Sequence, residues 1–265
     1  MLLAIDIGNS NISVGVFELS ANNAPNMVTN FKISTAHLSV DEYAVTFKDF
    51  LSRFDIFDNN FSQINCAAIS SVVPSLTDII FEVAKKICGK DPFVINSGIR
   101  TGFEIKIKNP EQLGTDIVCN CAAAIEKTKN ATVILDMGTA TTITVIDKKL
   151  TILGTIIIPG LRVSLDALYN SAAQLSDIAI DRNIELIGKD TKSAVSSGII
   201  NGNALMIDGF VRNIRESLDT DAKLSLIATG GLCGYVLPYL RNKFDFDEFL
   251  TLRGLALLYQ KNNKL

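Results

Sequence analysis

One short pattern occurs twice in the chain. Ala4-Ile5-Asp6-Ile7-Gly8-Asn9 reads apolar, apolar, aspartate, apolar, glycine, small polar, and Ile134-Leu135-Asp136-Met137-Gly138-Thr139 repeats it. In each copy an apolar run enters a turn of glycine and small polar residues. A second apolar run then leaves it, at residues 12–17 and 142–146. Each copy predicts a strand–turn–strand unit. Such self-similarity predicts two halves built on one plan, and 265 residues suffice for two domains. The boundary is expected between residues 117 and 118, giving domains of residues 1–117 and 118–265.

The segments between the copies alternate in type. Ser39-Val40-Asp41-Glu42 has the form of a capping box, and Tyr43, Ala44, Phe47, Phe50, Leu51 and Phe54 follow at helical spacing. Residues 65–73 predict a buried strand, and Ser75 opens a helix that ends at Gly89. Residues 92–95 predict a short strand, and 117–127 a helix-like segment. The second half offers a strand near 153–158, a helix at 204–218, a strand at 224–228 and a last helix at 252–260. This order predicts an α/β fold.

Composition narrows the function. The net charge of -3 and the lack of a basic stripe interleaved with aromatics argue against a nucleic-acid partner. No uncharged apolar run of 18 residues is present, and residues 1–8 lack the basic flank and cleavage site of a secretory signal, so no membrane partner is expected. Five scattered cysteines suit free thiols in a reducing, cytoplasmic setting, and Cys119 and Cys121 have no second pair to complete a zinc site. His37, the single histidine, is expected at the surface, and Lys148-Lys149 in a solvated turn.

The repeated hairpins carry the chemistry. Glycine lets backbone N–H groups approach phosphate oxygens, small hydroxyl and amide side chains add donors, and a nearby carboxylate can hold a divalent cation. Two such hairpins could serve one polyphosphate. A third element, Ala228-Thr229-Gly230-Gly231, ends an apolar strand on two glycines; it reads either as a tight strand-to-helix turn or as a surface for close approach of a ligand.

Taken in order, these elements resemble the phosphate-1, phosphate-2 and adenosine motifs of the actin, Hsp70 and sugar-kinase superfamily. Within it, Asp6-Ile7-Gly8-Asn9-Ser10-Asn11 resembles the opening of type III pantothenate kinases, with Ser10 where the family has Thr. Asp136-Met137-Gly138-Thr139-Ala140-Thr141-Thr142 resembles their second phosphate motif. Pro159-Gly160-Leu161, the set Thr191, Ala194, Ser197 and Gly198, and Leu252-Arg253-Gly254-Leu255 are similar to further family segments. Asn109-Pro110-Glu111-Gln112-Leu113-Gly114-Thr115-Asp116 is similar to the stretch leading into the family's Gly-x-Asp-Arg motif.

The resemblance implies two duplicated ribonuclease H-like (actin-like ATPase) domains with ATP in the cleft between them. It implies transfer of the ATP γ-phosphoryl group to pantothenate, the first step of coenzyme A synthesis, with Mg²⁺ and a monovalent cation, K⁺ or NH₄⁺. By the same resemblance Asp6, Ile7, Gly8, Asn9, Ser10, Asn11, Ile12 and Ser13 contact ATP, with Asp6 also on Mg²⁺, and Thr139 contacts phosphate. Asp136 binds the monovalent cation. Asp116 is the catalytic base. Gly114, Thr115, Asp116, Ile117, Ile107 and Thr191 line the pantothenate site, which lies near the interface of a homodimer. Asp116 alone also reads as a carboxylate capping the helix that follows it. Two positions depart from the family: Ile117 replaces the motif's Arg, and Ile107 replaces a Tyr. A hydrocarbon cannot donate the hydrogen bonds of a guanidinium. An alternative reading is therefore a catalytically silent, nucleotide-binding member with a regulatory role, a role attached to the family's older name, Bvg accessory factor. Another small-molecule kinase of the superfamily is the third.

Overall fold

The computed structural model describes residues 1–20, 23–58, 61–171, 184–218 and 224–263. The first copy of the repeat folds into β1 (Leu2–Ile7) and β2 (Asn11–Ser20), followed by β3 (Asn23–Ser34), α1 (Val40–Ser52), β4 (Cys66–Ser71), α2 (Pro74–Cys88), β5 (Phe93–Val94) and α3 (Thr115–Thr128). The second copy folds into β6 (Thr132–Met137) and β7 (Ala140–Ile146). It continues through β8 (Ile152–Pro159), α4 (Leu161–Ser171), α5 (Thr191–Ser217), β9 (Ser225–Thr229), α6 (Cys233–Val236), β10 (Asp245–Phe246) and α7 (Leu250–Asn262).

The sheets bear out the duplication. One has strand order β3-β2-β1-β4-β5 and the other β8-β7-β6-β9-β10. In each, the repeat's first strand pairs antiparallel with the second and parallel with the strand on its other side. The architecture is α/β, with two five-stranded mixed sheets of matching topology.

By internal contacts the chain forms two units, Met1–Lys127 with Phe249–Leu265, and Thr128–Glu248. The boundary expected at 117 and 118 falls inside α3, and α7 joins the first unit. The reason is burial. On β1, Leu3, Ile5 and Ile7 face Tyr43 and Phe47 of α1 and Leu76, Ile80 and Val83 of α2. Leu2 and Ala4 face the other way, toward Val118 and Ala122 of α3 and Leu252, Leu255 and Leu258 of α7. A central strand covered on both faces reads as a continuous apolar run, as this one does. In the second unit, Val133, Leu135 and Met137 of β6 pack on Ile200, Ala204, Ile207 and Val211 of α5.

Helix ends follow local chemistry. Ser39 and Glu42 form the expected capping box on α1. α2 starts at Pro74, whose missing N–H costs nothing in a first turn, and ends at Gly89 with φ of 69°. α5 begins at Thr191, well before residue 204, because Asp190 and Ser193 form a reciprocal cap. β3 was not expected. It is a sheet-edge strand with register shifts against β2, so its polar residues break the two-residue alternation. No helix among the described residues is long and apolar enough to cross a membrane.

Candidate active site

Asp6 sits at the end of β1, abreast of Ser13 on β2 and Ser70 on β4. The Ser70 hydroxyl donates to Asp6 Oδ1 at 2.9 Å. Beyond Asp6 the chain turns at Gly8, whose N–H donates to the Asn11 carbonyl at 2.9 Å. Asn9 and Ser10 are exposed at the tip. Thr35, just past β3, braces this hairpin twice. Its N–H donates to the Ser10 carbonyl at 3.0 Å and its hydroxyl to the Gly8 carbonyl at 2.7 Å. A trans peptide points its N–H opposite its carbonyl, so fixing the Gly8 carbonyl toward Thr35 turns the Asn9 N–H away from it.

Asp116 lies in the first turn of α3, half-buried, with Oδ1 accepting the Ile117 N–H at 2.8 Å. The expected capping position is corrected: α3 starts at Thr115, so Asp116 lies inside the first turn, where its carboxylate bonds the next N–H instead of standing before the helix. Burial pushes its pKa up from the ordinary value, against the lowering effect of backbone hydrogen bonds. A Cβ at Gly114 would overlap Asp116 Oδ1, so a side chain there would have to push the carboxylate out of its present position. Thr115, between them, turns its hydroxyl to β4: Oγ1 accepts the Ser71 N–H at 3.0 Å, donates toward the Ser71 carbonyl at 3.0 Å, and stands 3.1 Å from the Ser70 hydroxyl. The structure therefore brings Asp6, Ser70, Thr115 and Asp116 into one neighbourhood. Cys119 is buried beneath them. Its burial, with the charges of Asp6 and Asp116 nearby, raises the thiol well above its usual pKa. Ile117 is buried and Ile107 half-buried.

In the second unit Asp136 occupies the place in β6 that Asp6 has in β1, abreast of Thr142 on β7 and Thr229 on β9. Gly138 donates to the Ala140 carbonyl at 3.0 Å, so this turn is one residue tighter than the first. Two glycines hold it. A Cβ at Gly160 would overlap the Thr139 carbonyl oxygen and lie 2.7 Å from that of Gly138. Gly230, at φ of 99°, lies against Met137, where a Cβ would come within 2.6 Å of three backbone atoms. Both glycines were noted as motif members; the structure adds that each permits a close backbone approach to the second hairpin. Thr191, the first residue of α5, is exposed. With Ala194, Gly198 and Leu168 it lines a groove of about 650 Å³. Asp6, Ile107, Thr115, Asp116 and Ile117 belong to the first unit, and Asp136, Thr139 and Thr191 to the second.

Thr35 and Ser70 were not singled out from the sequence. Ser70 bonds a residue 64 positions away and Thr35 one 27 positions away, and no local pattern marks either.

The family model described as type III pantothenate kinase matches residues 2–213. The chain belongs to the type III pantothenate kinase family. A member from Citrifermentans bemidjiense is 36% identical over 263 residues, covering 99% of this chain and all of that protein. Among solved structures, a Baf-family protein from Campylobacter jejuni described as a transcriptional activator superposes with a TM-score of 0.61 at 20% identity, over 99% of this chain and 100% of that one. The ethanolamine utilization protein EutJ of Carboxydothermus hydrogenoformans superposes at 0.51 with 14% identity, over 97% and 89%. At such identities the likeness concerns the fold, and it agrees with the duplicated architecture seen here.

Proposed function

We propose that this type III pantothenate kinase family member transfers the γ-phosphoryl group of ATP to the primary hydroxyl of pantothenate, with Asp116 as the base. The observation that carries the reading is the pairing, within one unit, of a glycine hairpin ending in Asp6 with the half-buried carboxylate of Asp116 at the start of α3. Phosphoryl transfer is achieved mainly by positioning and by neutralising charge. The pantothenate oxygen bonds to phosphorus as the bond to the β-phosphate oxygen breaks. Asp116 takes the hydroxyl proton, and ADP departs.

Among the described residues no group of three or more His, Cys, Asp or Glu gathers that could hold a metal ion by itself. Asp6 as a single carboxylate suits Mg²⁺, which is commonly held by one or two carboxylates together with substrate phosphates and water. When bound, Mg²⁺ neutralises phosphate charge. The residues from Ile7 to Ser13, together with Thr139, supply the nucleotide contacts in this reading. Asp136, with Thr142 and Thr229 abreast, offers an oxygen-rich strand end for K⁺ or NH₄⁺. Thr191 and the groove beside it suit a pantothenate contact, Gly114 is read as part of the acceptor side next to Asp116, and the enzyme is read as a cytoplasmic homodimer.

Ile107 and Ile117 favour one rival, a silent nucleotide-binding member. The loss of one charge-assisted hydrogen bond costs about 1.5–3 kcal/mol, roughly a 10- to 150-fold loss of affinity. A coupled assay of ADP release with and without pantothenate, in K⁺ or NH₄⁺, decides. Pantothenate-dependent turnover is expected, with a high Michaelis constant that the double variant Ile107→Tyr, Ile117→Arg lowers at similar kcat. No turnover in either protein at high pantothenate would overturn the kinase reading.

A further inference from the structure

We infer that Ser70 and Thr115 are positioning residues: a row of two hydroxyls that fixes the cation-holding carboxylate of Asp6 and the basic carboxylate of Asp116 relative to each other. The inference rests on the roles proposed above for those two aspartates.

The row is read from the hydroxyl distances. Ser70 is fully buried and has one hydroxyl proton, which lies toward Asp6 Oδ1 at 2.9 Å. Thr115 Oγ1 stands 3.1 Å from that hydroxyl, while its own proton lies toward the Ser71 carbonyl at 3.0 Å, so the two side chains meet and are anchored, one to Asp6 and the other to the backbone of β4. Thr115 also accepts the Ser71 N–H at 3.0 Å, tying the first residue of α3 to the end of β4. Asp116 is the next residue on that helix, so its carboxylate moves with Thr115. The Thr115 hydroxyl bonds both the N–H and the carbonyl of Ser71 on β4. Neither a methyl group nor a valine can replace this link, whereas serine can.

The test uses the full-length protein and four variants: Thr115→Val, Thr115→Ser, Ser70→Ala and Asp116→Asn. Thr115→Val should lower kcat roughly 10- to 100-fold, the scale of a misplacement near one ångström, with the Michaelis constant for ATP within about twofold. Thr115→Ser should restore most of the loss. Ser70→Ala should weaken calorimetric binding of Mg·ATP roughly 10-fold while leaving magnesium-free ATP binding unchanged, a readout independent of turnover. In the double variant Ser70→Ala, Thr115→Val the kcat losses should not multiply, because the pair acts as one unit. If Thr115→Val only lowers thermal stability and keeps its kcat, the inference is overturned. Independent, multiplying losses overturn it as well. Should Thr115→Val not fold, the calorimetric arm with Ser70→Ala decides alone, and equal weakening with and without magnesium overturns the row. Asp116→Asn separates the two levels. If it retains turnover, the base assignment fails; if it loses turnover while Thr115→Val does not, only the positioning role fails.

Discussion

Asp116 meets opposed demands. Water would stabilise its ionised form, yet burial raises its pKa and so favours the proton. A carboxyl whose folded pKa is raised adds no cost in acid, where folded and unfolded states both hold the proton. The cost appears as pH rises through the unfolded value and is complete above the folded one. Asp116→Asn should therefore melt at a higher temperature than the parent at neutral pH, and the gain should shrink in acid; differential scanning calorimetry at several pH values checks this. The same substitution should cut kcat by roughly 10²–10⁴, the usual worth of a general base, while ATP affinity holds. The acid limb of the kcat profile should lie above the ordinary aspartate range. At this scale Asp116 and Gly114 were legible through the resemblance to the family's Gly-x-Asp-Arg motif. It did not show that a Cβ at residue 114 would strike the carboxylate, because that contact needs the turn geometry.

The approach of one element to another rests on particular glycines. In α7, a Cβ at Gly254 would overlap the Cys119 carbonyl oxygen of α3, a backbone atom that cannot swing aside. Thr251 of α7 donates to Asn120 of α3 at 2.8 Å, locking the same contact. Gly254→Ala should force the helices apart and lower stability by about 1–3 kcal/mol or more. Gly209, inside α5, meets nothing within 4 Å. Gly209→Ala should instead stabilise by about 0.5–1 kcal/mol through helix propensity. Opposite signs in urea titrations are expected, and matching signs would show that the α3–α7 contact is looser than it stands here. Both glycines look alike in sequence. What separates them is the neighbour, and the neighbour is set by packing.

For the whole molecule, the second unit exposes Ile157 at 70%, Leu186 at 68%, Ile187 at 77% and Leu205 at 56%. Single exposed apolar residues are ordinary; these lie on α5, on β8 and in the loop before α5, and they are where a proposed dimer contact is tested. Sedimentation equilibrium at micromolar concentration should return a dimer, and Leu205→Glu should shift it toward monomer with the helical circular dichroism unchanged. A monomeric parent would remove the dimer from the proposal.

The repeat at Asp6 and Asp136 determined the duplicated plan, since an apolar strand, a carboxylate and a glycine turn are local facts carried by adjacent residues. The same holds for the capping box at Ser39 and the glycine end of α2. Tertiary structure alone decided the rest. The burial of both faces of β1 drew α7 back to the first unit across the whole second half of the sequence. β3 gained its strand from pairing along β2, where its own alternation is broken. Thr35 and Ser70 acquired their places by hydrogen bonds to residues distant in the chain, whose direction depends on how the strands and helices meet.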